Sequence, residues 1–343
     1  MSKYLFLTVT LFLLWSFSGS LQAAPIPVLD TNAKHKPGVL IKGIPPVDND
    51  LARVVTLGNY NNISRVKAKT RGGKKQRRRV RFARFNRKIT AKSVMIINAD
   101  TGETIFAKNP DLPRQPASTI KVLTGMIAMK SLKNNSLVRV TRHAQQMPRS
   151  KIYLDTKKRY KADDLINAVL LESANDASVA LAEQIAGSEK NFASMMTLRA
   201  KLWGAKKTIC RTANGLTARG QHTTARDLAQ IFRHAMQDKE FARRMKRTKI
   251  KTSYGKLLRN HNKALWTVKG ALGGKTGYTY AARQTYVGKF KRGQDSIVVA
   301  IMGSGTMWSD IKKLVEYGFK KNSQLKLARY ARDDSTGIVT AVR

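Results

Sequence analysis

The run from Arg65 to Lys88 divides this 343-residue chain before any secondary structure is considered. It holds thirteen lysines or arginines in twenty-four positions and no acidic residue. Such a segment repels itself and offers little apolar surface to bury, so it predicts a flexible arm. The Pro-, Gly- and Asn-rich stretch before it reads the same way and extends the arm over residues 24–92. A folded domain must then come from the residues C-terminal to the arm, where about 250 residues suffice for a sizeable core. The expected divisions are 1–23, 24–92, 93–320 and a tail at 321–343.

Residues 1–23 have the form of an export signal, with Lys3, an apolar core over 4–17 and Leu21-Gln22-Ala23 as cleavage site. An uncleaved anchor stays open as the alternative, although that core is short for a membrane span. Export to a periplasm or cell wall is the expectation, and it bears on the charge. Of the net +44, residues 24–92 carry eighteen basic and three acidic residues, so with Lys3 set aside about +28 remains on 93–343. So basic a chain attracts polyanions. Behind an export signal nucleic acid is disfavoured, and the expected partner of Arg65–Lys88 is an anionic cell wall or membrane surface. An arm that only adds solubility stays open. Cys210 is the only cysteine, so no intramolecular disulfide forms and the fold depends on core packing.

Residues 92–98 and 104–108 alternate around Asp100-Thr101-Gly102 and predict a β-hairpin. Residues 279–291 and 295–302 predict a second, turning at Arg292-Gly293-Gln294. Between them lies a long helical stretch, and 309–319 reads as an amphipathic helix. Early and late strands around a helical insert predict an α+β fold whose single antiparallel sheet draws on both ends of the domain.

Three strings lie within this frame: Ser118-Thr119-Ile120-Lys121, Ser173-Ala174-Asn175 and Lys275-Thr276-Gly277. Each alone is a weak signal, and context gives it weight. Pro113 and Pro116 precede Ser118, while Ile120, Val122, Leu123, Met126, Ile127 and Met129 follow at helical spacing. Ser118 is thus expected in the first turn of a buried helix, with Lys121 on the same face. Residues 165–185 are almost wholly apolar, broken only at 172–176. Ser173 and Asn175 in that break either cap the second segment or find polar partners. Lys275 follows Gly273 and Gly274 in what reads as a turn feeding a strand, and it is expected to project from a strand edge where the two glycines let a ligand's backbone approach closely.

In this order the strings specify a serine nucleophile with a lysine base, a polar clamp and a cationic seat for a carboxylate, which is acyl-transfer chemistry. His143, His222, His234 and His261 are scattered without triad or metal-ligand spacing and read as surface or structural. No metal or cofactor is called for. Lys121 can act as base only if its amine is neutral or sheds a proton on substrate binding; burial and the charge of Lys275 would favour that. The helix-start N–H of Ser118 can meet a developing oxyanion.

Further landmarks are the runs Ser93 to Gly102, Leu171 to Ser178, Thr212 to Leu216, Thr223 to Leu228, and Glu316 to Phe319. With these, the chain resembles low-molecular-mass penicillin-binding proteins, and among them the D-alanyl-D-alanine carboxypeptidases and endopeptidases, over about residues 90–320. The resemblance implies a β-lactamase/transpeptidase-like fold: a five-stranded antiparallel sheet flanked by helices, plus a helical lobe, with the site in the cleft between them. It implies Ser118 as nucleophile, Lys121 as base and Ser173 as proton relay to the departing amine. Asn175 would bind the substrate's backbone amide, Lys275 and Thr276 the carboxylate of a peptide ending in D-Ala. The N–H of Tyr278, just past Gly277, would be the second oxyanion donor.

The implied activity is a D-Ala-D-Ala carboxypeptidase acting on peptidoglycan stem peptides, with β-lactams as inhibitors. The alternatives are an endopeptidase cutting cross-links and a non-catalytic polyanion-binding protein. A β-lactamase is disfavoured, because no Glu-x-x-x-Asn string lies between Asn175 and Lys275, and Glu183 and Glu189 read as exposed helix-face residues. The chain departs from its relatives at Ala281-Ala282-Arg283-Gln284, where they usually carry Ala-Gly, and this leaves substrate preference open. It shows neither the extra C-terminal β-domain nor the anchor helix of many relatives and resembles the shorter members.

Overall fold

The computed structural model describes residues 85–337. The expected signal segment and the arm as far as residue 84 lie outside the described residues. Nine strands are described: β1 (Ser93–Asn98), β2 (Thr104–Lys108), β3 (Leu137–Arg139), β4 (Arg159–Lys161), β5 (Lys249–Lys251), β6 (Leu257–Arg259), β7 (Ala271–Thr279), β8 (Arg283–Arg292) and β9 (Asp295–Ser304). Five form one antiparallel sheet in the order β2-β1-β9-β8-β7. The expected α+β class and five-stranded sheet are present, with both ends of the domain contributing strands.

Every residue of β1 is buried, because the sheet is covered on both faces. Met95 and Ile97, with Val298, Ala300 and Met302 of β9, face a helical lobe that includes helices Lys121–Ser131, Asn175–Ala186, Glu189–Leu202 and Ala225–Ala235. Val94 and Ile96, with Val299 and Ile301, turn the other way onto Ile311, Leu314 and Val315 of the last helix, Met307–Gly337. The two-residue strand period thus separates two cores.

The structure corrects three expectations. Residues 85–92 belong to the packed domain rather than to the arm. Phe85 stacks on Tyr317 at 4.2 Å, and Ile89 and Ala91 are buried. The buried Asp310 carboxylate accepts from the N–H groups of Thr90 and Ala91 at 3.0 and 2.9 Å and from the Thr90 hydroxyl at 2.7 Å. The count of basic residues conceals this, because a few apolar side chains are enough to anchor a segment. The last helix runs from Met307 to Gly337 and so crosses the expected division at 320. Finally, the strand expected over 279–291 is broken by a turn at 280–282: residue 279 ends β7, where Lys275 lies on a strand as expected, and β8 begins at Arg283. Three glycines in β7 remove the alternation by which a strand is recognised.

Candidate active site

Ser118 sits in a 3₁₀ turn, Ala117–Ile120, that leads into the helix Lys121–Ser131. Ala117, just before it, has φ +49°, an uncommon conformation for a residue with a Cβ. The turn is wedged from both sides. A Cβ on Gly215 would lie 2.1 Å from the Ala117 carbonyl oxygen, and Gly215 itself needs φ +79°. A Cβ on Gly277 would lie 2.8 Å from the Ser118 nitrogen. Strand β7 therefore abuts the start of the helix only because Gly277 carries no side chain.

Lys121, one helical turn on, is fully buried. Its Nζ lies 2.8 Å from Ser118 Oγ, 2.7 Å from Asn175 Oδ1 and 2.7 Å from the backbone oxygen of Asn214. Burial holds its pKa well below the usual lysine range, and the positive charge of Lys275 lowers it further, against smaller opposing effects of Asp176 and Glu189. A neutral amine has two N–H groups and one lone pair. The two carbonyl-type oxygens, of Asn175 and Asn214, can accept only, so they take the N–H groups. The lone pair is then left for the Ser118 hydroxyl proton.

The second string lies where the helix Ala162–Asn167 widens into a π-turn, Ala168–Glu172, and stops. Ser173 follows in the left-handed region, φ 63° and ψ 31°, and Asn175 opens the helix Asn175–Ala186. Neither side chain caps that helix. Asn175 instead accepts from Lys121, donates through Nδ2 to Pro148 O at 2.9 Å and through its N–H to Ser150 O at 2.8 Å. The polar break in the apolar stretch is therefore satisfied by partners far away in the chain.

Lys275 on β7 is also buried, and its Nζ donates to Ser173 Oγ at 2.8 Å and to Thr276 O at 3.1 Å. Desolvation lowers its pKa to about 7. Burial thus biases both lysines toward the neutral form, and the charge of Lys275 adds to that bias at Lys121. The three strings meet through Ser118, Lys121, Asn175, Ser173 and Lys275. Thr276 and Tyr278 lie on the same strand, with Tyr278 largely exposed.

Several neighbours are not assigned by sequence. Asn214 serves through its backbone oxygen, which no side-chain pattern announces, although Thr212 to Leu216 stands out as a landmark. His261 is exposed, in keeping with a surface histidine, yet partial desolvation and the charges of Lys275 and Lys121 push its pKa down to about 4. Glu183 and Glu189 are not exposed; each side chain retains 16% of its accessibility, and both face His143. Arg283, in the segment where the chain is expected to depart from the family pattern, has φ +57° at the start of β8, a conformation glycine adopts more readily than a residue with a Cβ. Among the described residues no cluster of His, Cys, Asp or Glu could hold a metal, and no helix is long and apolar enough to cross a membrane.

Comparison with known proteins agrees with this geometry. The model of the D-alanyl-D-alanine carboxypeptidase family, Peptidase S11, matches residues 80–306. D-alanyl-D-alanine carboxypeptidase DacB2 of Mycobacterium tuberculosis is 34% identical over 245 residues, covering 68% of this chain and 84% of its own. DacF of Bacillus subtilis is 31% identical over 67% of this chain, and the match spans 62% of the DacF length. The crystal structure of a D-alanyl-D-alanine carboxypeptidase from M. tuberculosis H37Rv superposes with TM-score 0.64 and 32% identity, over 67% of this chain and 91% of that one. Penicillin-binding protein D2 of Listeria monocytogenes, in its cefotaxime-bound form, gives TM-score 0.62 and 25% identity over 67% and 98% of the two chains. The chain belongs to the D-alanyl-D-alanine carboxypeptidase family of serine peptidases.

Proposed function

We propose that this protein is an exported D-Ala-D-Ala carboxypeptidase that removes the terminal D-Ala of peptidoglycan stem peptides through an acyl-enzyme on Ser118. The observation that carries the reading is the buried amine of Lys121, with two acceptors for its N–H groups and its remaining contact, at 2.8 Å, on Ser118 Oγ. Lys121 takes the hydroxyl proton as Ser118 Oγ bonds to the carbonyl carbon of the penultimate D-Ala. The N–H groups of Ser118 and Tyr278 face the oxyanion. The C–N bond then breaks, and the departing D-Ala nitrogen receives a proton through Ser173, which Lys275 holds at 2.8 Å. Lys275 and Thr276 hold the terminal carboxylate, and Asn175 holds the backbone amide. Water next attacks the ester, releases the shortened peptide and returns the proton to Ser118. A β-lactam follows the same first step, but its broken amide stays tethered, so the Ser118 ester persists.

Mass analysis of the purified protein with monomeric pentapeptide, cross-linked muropeptides and penicillin, beside Ser118→Ala, tests this. Loss of one alanine from the monomer, absent in the variant, is the expected outcome. Cleavage of cross-linked dimers alone would make the enzyme an endopeptidase, and no product or adduct at all would leave polyanion binding. For the basic run Arg65–Lys88 we propose attachment to an anionic wall or membrane surface. Retention on isolated wall that falls with salt and is lost on deleting residues 24–84 is expected; unchanged retention would move the attraction to the catalytic domain.

A further inference from the structure

Glu189 lies beside Lys121 and has no part in the proposed reaction. It opens the helix Glu189–Leu202, and its Oε1 accepts from the N–H of Ala213 at 2.8 Å. The carbonyl of Ala213 accepts from Thr124 Oγ1 at 2.6 Å, on the helix that carries Lys121. The next residue, Asn214, presents its backbone oxygen to Lys121 Nζ. The one after, Gly215, is packed against Ala117. The segment 213–215 is thus clamped between the Ser118 turn and its helix on one side and Glu189 on the other. Glu189 also faces His143, whose Nε2 lies 3.8 Å from Glu189 Oε2 and whose Nδ1 lies 2.9 Å from Glu183 Oε1.

We propose that Glu189 is a positioning residue for acylation: it fixes Ala213 and Asn214, and through the Asn214 oxygen it aims the Lys121 lone pair at Ser118. This role rests on the reading of Ser118 as nucleophile and Lys121 as its base. If the Asn214 oxygen shifts, one of the two N–H directions of Lys121 is lost and the amine can rotate off the serine. Glu189 also acts through charge. The charged groups around Lys121 are Lys275 from β7, Asp176 from the helix Asn175–Ala186, and Glu189. Those around Glu189 are His143, Glu183 and Lys121. Lys275 favours the neutral amine, whereas the two carboxylates favour the ammonium form. Removing the Glu189 charge should therefore lower the pKa of Lys121 and move the acid limb of acylation to lower pH.

The test is the single-turnover rate of penicillin acylation against pH for the full chain, Glu189→Ala and Glu189→Gln, with Ser118→Ala as control. Glu189→Ala should slow acylation by about tenfold to a hundredfold, the scale of a 1 Å misplacement. Glu189→Gln keeps an oxygen that accepts from Ala213, so it should recover most of that rate with its acid limb displaced to lower pH. Two variants with wild-type rates and pH profiles would overturn the inference, as would a Gln variant as slow as Ala with an unshifted limb. Should Glu189→Ala not fold, the limb of Glu189→Gln alone decides, a shift supporting and no shift refuting. Absence of acylation in the wild type would instead overturn the Ser118 reading itself.

Discussion

Lys121, on the helical wall of the cleft, is fixed by three polar contacts, whereas Gly277, on the strand wall, serves by carrying no side chain. The first wall is assembled from atoms that reach across the fold, from Asn175 and Asn214 to Lys121. The second is a flat backbone edge that comes close to the Ser118 turn. One wall should be damaged by deleting atoms and the other by adding them. A single site thus has two kinds of fragility, and mutations can tell them apart.

The largest effect is expected at the shared point of both walls. Ser118→Ala should form no penicillin adduct and lose about 10⁴-fold or more in peptide turnover, read by intact mass and D-Ala release. Lys121→Ala deletes the proposed base and should cost about 10²- to 10⁴-fold in acylation rate. An equal rate in that variant would assign the base elsewhere. Gly277→Ala adds one methyl 2.8 Å from the Ser118 nitrogen and should lose about a hundredfold in kcat/KM. If Gly277→Ala were fully active, the close approach of β7 would have no role in turnover.

The two lysines sharpen the contrast through pH. Lys121 must be neutral to accept a proton, so activity is lost as pH falls through its depressed pKa. Lys275 must be charged to attract a carboxylate, so kcat/KM should fall as pH rises through about 7, the value to which burial lowers it. An amide-capped substrate has no carboxylate and should not show that basic limb. The same limb for both substrates would argue against the carboxylate seat. The smallest expected effect is at the turn after β7. Arg283→Gly relieves φ +57°, which costs about 1–2 kcal/mol for a residue with a Cβ, and should raise Tm by a few degrees. A lower Tm would mean that the arginine side chain contributes more than its backbone costs.

The three strings of the candidate site are legible because each needs particular side chains in a fixed order, and the hairpin Ser93–Asn98/Thr104–Lys108 because alternation and a turn coincide. What the sequence conceals has common physical causes. Asn214 acts through its backbone, and a backbone oxygen has no residue-type signature. The start of β7 reads like a turn because Gly273 and Gly274 mark turns and close approaches alike. Glu189 and Glu183 read as exposed because a carboxylate buried by tertiary partners has the same local pattern as a solvated one. Phe85 and Ile89 are lost among cations, since two apolar anchors barely change a local average.

The pairing of β1 with β9 joins Met95 to Ala300, so the centre of the sheet closes across a separation of about 200 residues. The wall at Gly277 likewise meets Ser118 only when a late part of the chain has arrived. A chain made from its N-terminus therefore carries Ser118, the proposed nucleophile, long before it can use it. Nascent and truncated forms should be chemically silent, and the enzyme is switched on once, by the completion of its own sheet.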